Sequence, residues 1–177
     1  MTENRSFLQK YAMRFGSFMG IYWILKFILF PLGFSIPFLQ LLFLLFTAGV
    51  PFLGYYYVRS YREKICGGSI GFVHAWLFTL FMYMFAALLT SVAHYIYFQF
   101  IDHGYIVNTY MGLLKNFKAM KIPGIGNSIS QLEDALNVAS TLRPIEITMQ
   151  LISQNVLYGS VLAIPTALIV KKKKQLD

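Results

Sequence analysis

Charge is scarce in this chain. Only 12% of its 177 residues are Asp, Glu, Lys or Arg, about half the share of a soluble domain. With 57% of residues hydrophobic and 18% aromatic, a water-soluble fold of this size could not enclose its own apolar surface, whereas a bilayer would solvate it. Cysteine is nearly absent as well. The single Cys66 excludes an internal disulfide and says nothing of redox compartment. Followed by Gly67 and Gly68, with no histidine or carboxylate in a nucleophile's sequence context, it reads as a small loop residue. Catalytic signatures are missing too: there is no H-E-x-x-H, no G-x-S-x-G and no P-loop. Three separated histidines without a ligand-spaced carboxylate argue against a metal site. The expectation is a non-enzymatic protein with no cofactor.

What the chain does have is basic charge at the ends of apolar runs. The net charge of +8 could suggest a nucleic-acid binder, but the cations do not form the continuous patch that phosphate tracking needs. Arg5, Lys10 and Arg14 precede the first run, Arg59, Arg62 and Lys64 follow the second, and Lys171 to Lys174 end the last. This is the footprint of orientation by positive charge. It predicts both termini and the central loop in the cytoplasm of a bacterial cell, with membrane lipid as the chain's surroundings and no nucleic acid.

The expected fold is an all-α membrane protein of four transmembrane helices, N-in and C-in, forming one unit over residues 1–177. The spans are read at about 11–30, 36–58, 70–101 and 145–170, each sufficient to cross a hydrocarbon core that needs about 20 helical residues. The first is no cleaved signal: its apolar segment is long and aromatic, and no A-x-A-like site follows. It is expected to stop at Pro31, with Ser35 capping the next helix and Pro37 in its first turn. Pro51 and Pro165 should kink the second and fourth spans. Arg59 to Gly68 reads as a loop, Ser69 as the cap of the third span, and Tyr55, Tyr56 and Tyr57 as an aromatic belt at headgroup depth. Gly16 and Gly20 make a small-xxx-small pair, a candidate helix-packing seam either inside one subunit or between two copies.

Residues 102–143 form the sizeable hydrophilic segment and read as outer helices. Ile106, Tyr110, Leu113, Leu114 and Phe117 recur at helical spacing. Pro123 and Gly124 break the pattern, and Ser128 with Gln131 carries a capping-box signature before a second stripe of Ile129, Leu132, Leu136 and Ala139. The pair either packs on the bundle or lies in the outer interface. No internal repeat links the two hairpins, so an inverted-repeat transporter is not supported.

The order of elements resembles a known family. Arg59, Tyr61 and Arg62 in the central segment, the Gly67-Gly68 pair before Phe72, and the run Tyr97-Phe98-Gln99-Phe100-Ile101-Asp102 are similar to the family called domain of unknown function 4199. The resemblance implies a small inner-membrane protein of a kind common in Bacteroidetes, and it supplies no functional residue. Lys115, Lys118 and Lys121 stand where that family would bring an acidic, Met- and Gln-rich helix.

Polar groups inside spans need an explanation, since a lysine at a helix centre costs about 2.5–3.5 kcal/mol. Lys26 is such a charge, close enough to its helix end to snorkel. Glu146, Gln150, Gln154 and Tyr158 repeat every four residues on the last span, with Ser153 beside them, and Thr90, Ser91 and His94 share a face of the third. These stripes are either interhelical hydrogen-bond glue or a polar pocket in the outer half of the membrane, in which Lys26 would meet Glu146. Two functions follow: an accessory or scaffold subunit of a membrane or envelope system, or a small oligomeric transporter or lipid-binding protein.

Overall fold

The structure, a computed structural model, describes residues 2–120 and 126–172, with side chains from Phe7 onward. The side chain of Arg5, the charge positions Lys121, Lys173 and Lys174, and the break at Pro123 and Gly124 lie outside what is described. Among the described residues the chain is all-helical: α1 Thr2–Leu32, α2 Pro37–Lys64, α3 Phe72–Phe100, α4 Tyr105–Ala119, α5 Gly126–Thr141 and α6 Pro144–Val170. Four of these, α1 from Phe7, α2, α3 and α6, are long and apolar enough to cross a membrane. The chain divides into two compact units, residues 1–92 with 151–177 and residues 93–150.

The helix ends differ from those the sequence suggests, and each difference has a local cause. Pro31 lies inside α1, because Gly33 N–H still reaches Leu29 O at 2.9 Å and a single missing donor near a helix end is tolerated. The N-cap of α2 is Ile36 rather than Ser35, with Pro37 at the first helical position, where its fixed φ suits the helix and its missing N–H is no loss. Arg59 to Lys64 is helix, not loop. The Arg59–Glu63 ion pair at 2.8 Å spans one turn, and such i,i+4 pairs support an exposed helical end. Ser69 does not cap α3, since Ile70 is drawn into a reciprocal bridge with Lys172, both N–H···O distances being 3.0 Å. Helix α3 therefore starts at Phe72. Ser128 lies within α5 and so cannot be its cap.

In the first unit the small residues settle the packing. A Cβ on Gly16 would sit 2.7 Å from both Met82 O and Phe85 Cβ, and one on Gly20 would sit 2.9 Å from Leu89 Cδ2. The Gly16-Gly20 face is thus occupied by α3 of the same chain, in the close approach that glycines permit between membrane helices. Tyr83 is fully buried and stacks on Trp23 with centroids 5.7 Å apart and planes 15° apart. Gly54 of α2 and Gly159 of α6 leave the room its ring occupies. Tyr22 donates to Phe46 O at 2.8 Å and ties α1 to α2. Pro51 and Pro165 both line one apolar crevice of about 360 Å³ between α2 and α6.

In the second unit Asp102 shapes the turn into α4. Its carboxylate accepts the N–H groups of Gly104 at 3.0 Å and Ile106 at 3.1 Å, which satisfies orphan donors at the start of α4. His103 and Gly104 both take positive φ, 45° and 83°, to make that turn. Leu114 is buried, whereas Leu113, Phe117 and Leu132 stay exposed. Lys118 meets Glu133 at 2.9 Å between α4 and α5.

Candidate functional site

The polar residues singled out by spacing fall into three environments. Thr90 is buried and donates to Ala86 O at 2.8 Å within its own helix, with Gly20 O of α1 further off at 3.4 Å. Ser91 donates to Leu88 O at 2.7 Å, and His94 is buried. Glu146 is engaged locally, its carboxylate accepting the Arg143 backbone N–H at 2.8 Å and the guanidinium at 2.7 and 3.1 Å. The same bonds hold the Arg143 guanidinium above its ordinary pKa. Lys26 places its ammonium over the Trp23 ring, 5.7 Å from the centroid, a cation–π contact one turn back along α1. Each charge of the expected Lys26–Glu146 pair thus has a neighbour close by in its own segment of chain.

Gln150, Gln154 and Tyr158 are exposed, as is Ser153, and Tyr158 keeps 62% of its surface open. The four-residue repeat does place them on one face of α6, but that face points outward. Neither the crevice at the prolines nor the cavity described next is lined by any of the eight residues of the expected pocket.

A polar cavity of about 560 Å³ opens instead where α2 passes into α3. Its construction follows from the connection between the two helices. Gly67 and Gly68 adopt left-handed φ of 64° and 84°, a region that costs other residues strain. They turn the chain so that Gly68 N–H bonds back to Arg62 O at 2.9 Å. This brings Cys66, Ser69 and Gly71 beside Tyr61, Lys64 and His74 at the cavity wall. Tyr61 is buried with its ring stacked on Phe78, centroids 3.8 Å apart. Its hydroxyl lies 3.0 Å from His74 Nε2 and also meets the Cys66 thiol. Phe7 and Tyr11 of α1 and Ile65 and Ile70 of the connection supply the apolar part of the lining.

Burial weakens Cys66 as a nucleophile. Burial pushes the Cys66 thiol above its ordinary pKa, more than the bond to Tyr61 lowers it, so the thiolate that would react is scarce at neutral pH. Among the described residues no cluster of three His, Cys, Asp or Glu could hold a metal ion. The sequence does carry a signal for this site: Tyr61, Lys64, Cys66, Ser69 and His74 fall within fourteen residues around a Gly-Gly turn. Taken singly, each has an ordinary reading.

Four long apolar helices and a polar cavity at the ends of two of them define a multi-pass membrane protein. Within that class the chain belongs to a family described as Protein of unknown function (DUF4199), which matches residues 14–172. No curated protein and no solved structure matches it significantly.

Proposed function

We propose that this protein is a non-enzymatic scaffold subunit of a membrane or envelope assembly. It sits in a bacterial inner membrane with both termini and the α2–α3 connection in the cytoplasm, and it assembles through α6. The observation that carries the reading is the outward amide face of that helix. Helix α6 has 27 residues, so it is about 40 Å long, and Gln154 lies about 15 Å from its first residue. That is well inside a hydrocarbon core of about 30 Å, where water does not reach and an unpaired amide costs free energy. Gln154 is nonetheless exposed, and a partner helix would satisfy it. The occupant we assign is a second copy. A glutamine amide both donates and accepts, so two Gln154 side chains facing each other across a two-fold axis exchange hydrogen bonds reciprocally, which is the self-complementarity such a symmetric contact demands.

A cysteine at Gln154 should cross-link to its counterpart in native membranes, and Gln150→Leu with Gln154→Leu should convert a dimer in mild detergent into a monomer. Leucine suits a lipid-facing helix, so the double variant keeps its fold. A wild-type protein that is strictly monomeric in native membranes would end the proposal. Orientation is checked separately. A cysteine at Gly126, which is exposed, should react with an impermeant thiol reagent added to intact spheroplasts, while a cysteine at exposed Lys64 should not. The opposite pattern would invert the topology.

A further inference from the structure

The cavity beside α2 and α3 has features that the assembly role leaves unused. Among the described residues its lining contains one cation, Lys64, and no acid. The neighbouring carboxylate, Glu63, is already held by Arg59 at 2.8 Å and Arg62 at 3.1 Å. Among the described residues, a group entering the cavity therefore meets one positive charge and no free carboxylate. Two of the lining residues, Lys64 and Ser69, carry side-chain hydrogen-bond donors suited to an anion. Gly71 and His74, at the start of α3, are also at the wall, and the first turn of any helix has backbone N–H groups without helical acceptors.

Depth narrows the ligand further. Lys64 is the last residue of one candidate span and Phe72 the first of the next, so the cavity lies at the boundary between hydrocarbon and headgroups. Part of its wall is apolar, through Phe7, Tyr11, Ile65 and Ile70. A cavity of about 560 Å³ is also within the range of roughly 300–1,000 Å³ typical of small-molecule sites.

We infer that this cavity binds an anionic phosphate group, contacted by Lys64 and Ser69, carried on a phospholipid headgroup or on a free phosphate ester. The apolar wall would hold the first carbons of a glycerol backbone, and the Tyr61–His74 hydrogen bond keeps the floor rigid. The site is independent of the α6 contact, so either can fail without the other.

Cys66 reports on occupancy, because it lines the cavity. The full chain is placed in phosphatidylcholine nanodiscs and its alkylation by uncharged monobromobimane is timed. Replacing roughly a third of the lipid by anionic phosphatidylglycerol, a proportion that gives a physiological surface charge, should slow the reaction several-fold. In Lys64→Gln and in Ser69→Ala the slowing should be lost, whereas Lys115→Gln in α4 should keep it. Slowing by glycerol 3-phosphate in pure phosphatidylcholine discs, lost in the same two variants, would assign the group to a soluble ester. Equal rates with and without both probes would overturn the inference. So would slowing that persists unchanged in Lys64→Gln, since that would reflect surface potential alone.

Discussion

Gly16→Ala will destabilise the protein by about 2–3 kcal/mol, the upper part of the range for overpacking a close contact, although alanine is the better helix former. The added methyl would lie 2.7 Å from Met82 O and 2.7 Å from Phe85 Cβ. The first is backbone and the second is the fixed base of a side chain, so neither can rotate away. Helix α1 must then withdraw from α3, and the buried row of Ala12, Met19, Phe78, Met82 and Ala86 loses dispersion contacts on both sides. Gly20→Ala should cost less, about 1 kcal/mol, because its nearest neighbour is the mobile end of Leu89 at 2.9 Å. Gly112→Ala should be neutral or stabilising by up to about 0.5–1 kcal/mol, since nothing lies within 4 Å of the new methyl and alanine favours the helix. Unfolding midpoints of the three variants in one detergent test the ranking. A Gly16→Ala protein as stable as the wild type would mean that α1 does not rest on α3 there.

That seam shows what the sequence could and could not reveal. Gly16 and Gly20, four apart in an apolar run, announce a close helix contact, because only small residues let two backbones approach. They do not name the partner, and α3 of the same chain and a second copy satisfy the pattern equally. The existence of four long apolar helices was legible for a similar reason, as bilayer thickness sets a length that few other structures share. Their ends were not. Ser35, Ser69 and Ser128 all carry capping chemistry, yet Pro37, the Ile70–Lys172 bridge and the start of α5 at Gly126 place the boundaries elsewhere.

The polar stripe of α6 is a different case. Its period of four puts Gln150, Gln154 and Tyr158 on one helix face and carries no direction for that face, and all three are exposed. In a soluble protein the apolar side of a helix points to the core. In a bilayer the lipid is as apolar as the core, so the pointer disappears. An inward direction for such a stripe follows from a rule that water enforces and lipid does not. The Tyr61–His74 contact was hidden for another reason. The pair lies thirteen positions apart in sequence, and the chain turns back between them through the left-handed Gly67 and Gly68 to bring them to 3.0 Å.

Arg62→Ala should have the other large effect, about 2 kcal/mol, because it removes a charge-assisted hydrogen bond and leaves a helix end exposed. Arg62 is 15% accessible, and its Nη1 donates to Val170 O at 2.8 Å. Val170 is the last residue of α6, so its carbonyl lacks a helical donor and stands at the negative end of the helix dipole. The guanidinium answers both needs across 108 residues of sequence. The reciprocal bridge between Ile70 and Lys172 follows directly, since Lys172 is held only two residues beyond the capped carbonyl. Without Arg62 that bridge should open more often, and the amides of Ile70 and Lys172 should exchange with deuterium markedly faster than those of α3 at Tyr83 or Ala86. Arg62→Lys should recover part of the stability, as an ammonium still favours the carbonyl end of the helix but lacks the planar fork that also reaches Glu63. Unchanged exchange at Ile70 and Lys172 in Arg62→Ala would show that the bridge stands without its cap, and the last turn of α6 would then owe its position to packing at Ala163 and Ala167, both fully buried, rather than to the arginine.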